Sequence, residues 1–162
     1  MNLFKKLSKK AKSGPIQSGC PVAGSVIDIK ETNDPMFSTE ALGKGVGISA
    51  SQKKIVAPVS GTITTFFPTN HAVGITSDDG AELLIHVGVD TVELNEKYFT
   101  PHKKQGDTVN QGDLLLEADF ESIVKEGYDP TVMLVVTNSA SYQTIQPTLG
   151  TLSHNETVME IQ

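Results

Sequence analysis

The octapeptide Cys20-Pro-Val-Ala-Gly-Ser-Val-Ile27 returns 37 residues later as Ala57-Pro-Val-Ser-Gly-Thr-Ile-Thr64, sharing Pro-Val-x-Gly-(Ser/Thr)-(Val/Ile). Proline presets a turn and glycine supplies a positive φ before a strand enters, so one turn-to-strand unit is predicted twice. Gly106-Asp-Thr-Val-Asn-Gln-Gly-Asp-Leu-Leu115 adds a pair of tight turns around a short strand. Fourteen glycines and eight prolines are spread through the 162 residues, which favours many short strands over long helices. Strands are expected at Ser25–Ile29, Gly47–Ser49, Lys54–Val56, Thr62–Phe67, Ala72–Ser77, Glu82–Val87, Leu114–Ala118, Met133–Thr137 and Val158–Ile161. One short helix is expected after Asp119, through Glu121–Glu126 and stopped by Gly127. The fold class is therefore all-β, an antiparallel sandwich or barrel with at most one or two short helices.

Within this pattern, His71-Ala-Val-Gly-Ile-Thr and Ala81-Glu-Leu-Leu-Ile-His86 flank Ser77-Asp78-Asp79-Gly80, a strong hairpin signal. Centring the loop between Asp78 and Asp79 pairs His71 with His86, their Cβ atoms about 4.5–5.5 Å apart. A slip of one residue would send them to opposite faces. Two facing imidazoles can share a phosphoryl group or a metal ion. The apolar run around His86, Leu83–Val89, predicts a lowered pKa and a neutral ring near pH 7. Neutral imidazole has the lone pair a phosphoryl acceptor needs. The carbonyl of Gly88 could take the other ring N–H and fix the tautomer. His102 and His154, in polar turn-rich stretches, read as ordinary exposed histidines.

Charge is uneven. Five lysines fall in the first twelve residues with no acid, leaving eight lysines against nineteen acids in the remainder, a net of −11. So acidic a body is a poor nucleic-acid binder and suits a basic protein partner. The chain has no arginine, so a guanidinium clamp on phosphate must come from a partner. Residues 1–15 form a basic tail, ending at Ser13-Gly14-Pro15, and residues 16–162 form one domain. Residues 2–12 read as a short helix with Leu3, Phe4, Leu7 and Ala11 on one side, which would make a weak peripheral contact with anionic lipid, or else as a solvated, disordered arm. No window approaches the roughly 18 apolar residues of a spanning helix, and nothing resembles a cleavable signal peptide. With its single cysteine, Cys20, the chain is expected in the cytoplasm, with the tail at the inner membrane face if it binds lipid.

The repeat and the double Gly-Asp turns resemble barrel-sandwich hybrid modules. Phe67-Pro-Thr-Asn-His-Ala72, Leu84-Ile-His-Val-Gly-Val-Asp-Thr-Val-Glu-Leu94, Ile55-Val-Ala-Pro-Val-Ser-Gly-Thr-Ile63 and Val135-Val-Thr-Asn138 together resemble enzyme IIA of the glucose type, from the bacterial phosphoenolpyruvate:sugar phosphotransferase system. The similarity runs from about Ile16 to Ile161. It implies a phosphotransferase without a required cofactor. Phospho-HPr would pass its group to His86 Nε2, and a cysteine on the IIB domain of a glucose-type permease would receive it. His71 would hold the phosphoryl oxygens, oriented by Thr69. Asp34 and Asp90 would form an acidic rim, Phe37 and Phe67 an apolar docking patch, with close approach at Gly88. Regulated transporters or kinases are further partners of some relatives. The chain departs from the family at Gly74, Leu84 and Val87, where many relatives carry Phe, implying a flatter docking face. Lys44 stands where aspartate is usual.

Three rivals remain. A zinc hydrolase of similar fold needs a third ligand, and Leu84, Gly88 and Ile75 occupy the positions where one would be sought. A zinc held by His71 and His86 at a partner interface is the regulatory version. A biotin or lipoate carrier needs a lysine at a hairpin tip, a context that Lys53-Lys54 and Lys103-Lys104 lack. A regulatory binding protein without phosphotransfer would not need both histidines and Thr69.

Overall fold

The computed structural model describes residues 14–162, so the lipid contact expected of residues 1–12 lies outside the described residues. Among the described residues, fourteen strands numbered β1 to β14 in chain order form three antiparallel sheets. The largest has the order β13 (Gly150–Leu152), β2 (Gly24–Asp28), β3 (Lys44–Ala50), β11 (Val132–Val136), β7 (Glu82–Val87), β6 (Ala72–Ser77), β5 (Gly61–Phe66) and β9 (Thr108–Val109). One three-stranded sheet joins β1 (Ile16–Gly19), β14 (Thr157–Ile161) and β12 (Ile145–Pro147). The other joins β4 (Lys54–Val56), β10 (Leu114–Ala118) and β8 (Phe99–Pro101).

Alternation along the strands gives the large sheet two apolar faces. Val46, Ile48, Ile75, Ile85, Val132 and Leu134 enter the main core, which Ile55, Leu115 and Val158 of the smaller sheets complete. On the opposite face Met133 and Val135 pack with Ile29 and Phe37 into a second, smaller cluster. The chain between β2 and β3 covers that cluster. It includes helix α1 (Pro35–Ser38), which begins at Asp34, whose carboxylate accepts from Met36 N–H, and has proline in its first turn. The expected helix is α2 (Phe120–Lys125); Asp119 caps it through Ser122, and Gly127 follows.

The repeat does mark equivalent places. Gly24 opens β2 and Gly61 opens β5, and the two turns touch through Gly19 N–H to Pro58 O and Val56 N–H to Pro21 O, both 2.8 Å. The expected role of the glycines is corrected: neither has a positive φ. Each is there because the neighbouring strand passes too close for a side chain. A Cβ would lie 2.1 Å from Ser49 O at Gly24 and 2.0 Å from Thr76 O at Gly61. Gly61→Ala must therefore spread β5 from β6, at a cost of about 1–3 kcal/mol. Thermal unfolding measures this; an unchanged midpoint would contradict the close approach.

Candidate functional site

The hairpin from β6 to β7 is one residue out of the expected register. Ala72, not His71, pairs with His86, and Val73 pairs with Ile85. The loop has three residues rather than two: Ser77 N–H bonds Ala81 O, and Gly80 carries the positive φ of +98°. A regular strand would then turn His71 away from His86. Instead His71 lies just before β6, after the left-handed Asn70 (φ +61°), where its carbonyl accepts from Val87 N–H at 2.8 Å. The local bend brings the rings together, perpendicular at 89° with centroids 4.8 Å apart.

Hydrogen bonds set the two rings. His86 Nδ1–H donates to Gly88 O at 2.8 Å, which leaves Nε2 with its lone pair. Thr69 Oγ1 stands 2.6 Å from His71 Nδ1. With the hydroxyl donating, His71 carries its proton on Nε2 and offers an N–H donor. Both rings favour the neutral form. Burial and then the neighbouring His86 push His71 from 6.5 down to about 4. Burial also lowers His86, against the opposing pull of the Gly88 carbonyl, Asp34 and Asp90.

A depressed histidine destabilises the fold in acid. Below about 6.5 the unfolded chain binds a proton that native His71, 2% exposed, refuses until about pH 4. Stability attributable to this ring is therefore full above that range and falls by about 2 kcal/mol between pH 7 and pH 5. His71→Gln removes that component. Denaturant midpoints of both proteins at the two pH values measure the difference; parallel losses would contradict a buried neutral ring.

The remaining expected residues divide. Phe67, 37% exposed, stands edge-on to His71 at 5.6 Å and presents an open apolar surface. Asp90 is exposed, with φ +60° and no capping bond from its side chain. Two others sit deeper than the resemblance implies. Phe37 is 2% exposed and packs on His86 at 5.0 Å, so it walls the site rather than forming an open patch. Asp34 is 8% exposed and committed to capping α1, so it is not a free rim group. Gly74 and Leu84 pair directly and line an open groove of about 280 Å³ with Phe67 and Thr65. Val87 is corrected: it is wholly buried in the main core and shapes no docking face. Lys44 is exposed at the start of β3, where its N–H bonds Ser139 Oγ. His102 pairs with Glu117 and His154 with the Lys54 carbonyl, away from the histidine pair. Two residues escaped sequence reasoning: Phe99, 6.4 Å from the His71 ring, and Met133 of β11, paired with His86 of β7. Neither carries a local sequence signal, since each arrives from a distant strand. Among the described residues no group of three His, Cys, Asp or Glu could hold a metal ion. No helix among them is long and apolar enough to cross a membrane.

Fold and site together define a β-protein that presents one neutral, tautomer-fixed imidazole with a second imidazole facing it. Residues 17–142 match the family described as phosphoenolpyruvate-dependent sugar phosphotransferase system, EIIA 1. The chain belongs to this enzyme IIA family of phosphotransferases. It is 44% identical over 145 residues to a glucose-specific EIIA component of Halalkalibacterium halodurans, covering 84% of this chain and 83% of that one. It is 48% identical over 127 residues to a beta-glucoside-specific EIIBCA component of Dickeya chrysanthemi, covering 78% of this chain and 20% of that protein. The chain thus spans about a fifth of the length of the EIIBCA relatives it matches. The solved glucose permease IIA of Mycoplasma capricolum superposes with a TM-score of 0.84 at 30% identity, covering 91% of this chain and 96% of that one.

Proposed function

We propose that this chain relays a phosphoryl group in sugar uptake, taking it from phosphohistidine on HPr and giving it to a cysteine of a permease IIB domain. The observation that carries the reading is the bond from His86 Nδ1–H to Gly88 O, with the His71 ring standing across His86. It leaves Nε2 as the nucleophile. As the donor N–P bond breaks, a bond forms between His86 Nε2 and phosphorus. Nδ1 keeps its proton, and the Gly88 carbonyl stabilises the positive charge that grows on the ring. His71 Nε2–H, held by Thr69, faces the phosphoryl oxygens. Such a reaction asks for positioning and charge stabilisation more than for bond-making by the protein.

Fusion of EIIA to EIIB and EIIC in the beta-glucoside relatives supports a IIB partner. The excess of acids over lysines beyond residue 12 suits a basic donor such as HPr, and the missing arginine makes a partner-borne cation the clamp on phosphate. No cofactor enters this relay. The two imidazoles supply two ligands, so zinc at this place would need a carboxylate from a partner. The test is incubation with labelled phosphoenolpyruvate, HPr and the kinase that loads HPr, followed by peptide mapping. Acid-labile, base-stable label on the peptide carrying His86, chased onto a IIB domain, is expected; label elsewhere would refute the relay.

A further inference from the structure

Two walls of the His86 site meet on one carboxylate. The Gly88 carbonyl lies just past the end of β7, in a stretch held from its far side. Gly88 N–H donates to Thr131 O at 2.8 Å, and Val89 N–H donates to Asp129 O at 2.9 Å. Asp129 shapes that supporting stretch: its Oδ1 accepts from Thr131 N–H at 2.9 Å and from Thr131 Oγ1–H at 2.6 Å. Its Oδ2 accepts from Asn33 Nδ2 at 2.8 Å, across 96 residues of sequence. Asn33 immediately precedes Asp34, the cap of the helix that carries Phe37 onto the His86 ring. Little slack exists here, because a Cβ on Gly88 would lie 2.4 Å from Thr91 and 3.1 Å from Asp129 O. Burial works to raise the Asp129 carboxyl, and the bonds from Thr131 and Asn33 outweigh it, holding it below its ordinary range. The group is therefore a full acceptor at neutral pH.

We propose that Asp129 is a positioning residue for phosphoryl acceptance, holding both the Gly88 carbonyl and the Phe37-bearing segment in place around His86. The proposal rests on the reading of His86 as acceptor. Asp129 touches no reacting atom and acts through Thr131 and Asn33. Without it the 129–131 turn is free and the Gly88 carbonyl loses its aim. His86 then populates the tautomer with its proton on Nε2, which has no lone pair to offer phosphorus. Misplacement by about 1 Å is enough to slow a positioned reaction by about a hundredfold.

Histidine ¹⁵N NMR of the unphosphorylated chain reads the His86 tautomer without any donor, and transfer from phospho-HPr reads the rate. Asp129→Ala is expected to bring up the Nε2–H tautomer at His86, leave the His71 signals in place and slow acceptance by about ten- to a hundredfold. Asp129→Asn keeps an oxygen for Thr131 and pairs with a turned Asn33 amide, so it restores the tautomer and most of the rate. Should Asp129→Ala not fold, Asn33→Ala removes one bond of the brace and is expected to shift the tautomer in the same sense. The proposal is overturned if the Ala variants keep the native tautomer and rate, or if Asp129→Asn is as impaired as Asp129→Ala, which would assign the effect to charge. If the native chain takes no label on His86, the acceptor reading fails, while the tautomer spectra still judge the role of Asp129.

Discussion

His86→Ala is expected to fold and to take no phosphoryl group from phospho-HPr. The loss is complete because no other imidazole among the described residues has the same combination of a free Nε2 and a pinned Nδ1. His71 accepts from Thr69 at Nδ1 and so carries its proton, not a lone pair, on Nε2, while His102 and His154 have their Nε2 tied to Glu117 and the Lys54 carbonyl. The ring lies half-buried at the edge of the smaller core cluster, so its removal leaves the main core untouched. A second effect accompanies the first. Part of the pressure that keeps His71 deprotonated comes from His86, and losing it lets His71 titrate closer to its ordinary range, though burial still holds it below. Label persisting on the variant would move the acceptor elsewhere. An unmoved His71 titration would show that the rings do not interact.

His71→Ala, which removes the ring N–H donor, is expected to separate acceptance from donation. The Gly88 bond does not involve His71, so the nucleophile and its tautomer should survive and the variant is expected to take the group still, more slowly. Handing it on is harder. A cysteine thiolate approaching a phosphoryl group brings like charges together, and a preset N–H donor on the phosphoryl oxygens offsets that repulsion. Removing one such donor costs about 10²–10³ in rate, or roughly 3–4 kcal/mol at the barrier. Rapid-quench transfer from the phosphorylated chain to a IIB domain measures this. A normal rate of donation would take the transition-state role away from His71.

Much of the fold was readable because strand ends are written in local chemistry. Lys54–Val56, Ala72–Ser77, Glu82–Val87 and Leu114–Ala118 stand where turn residues placed them. The short edges β1, β8, β12 and β13 were missed, since three or four residues carry too little alternation to read. The meeting of His71 with His86 was expected for a reason that the structure replaces. Gly80 lengthens the loop and shifts the register, and the bend at Asn70 restores the contact. The resemblance named Asp34 and Phe37 but not their depth. Their segment is pinned by Asn33 to Asp129, 96 residues away, and no local pattern announces such a bond. Likewise Gly24 and Gly61 were marked by the repeat, yet the reason for them lies in neighbouring strands that sequence alone does not place.

In the proposed relay the Gly88 carbonyl holds the proton on His86 Nδ1 and thereby makes Nε2 the attacking atom. Phosphorus–nitrogen coupling in NMR of the phosphorylated chain, made with ¹⁵N-labelled histidine, tests it directly. One phosphorus coupled to Nε2 of His86, with Nδ1 still protonated, is the predicted spectrum. Phosphorus on Nδ1 of that ring, or on any other histidine, would contradict it.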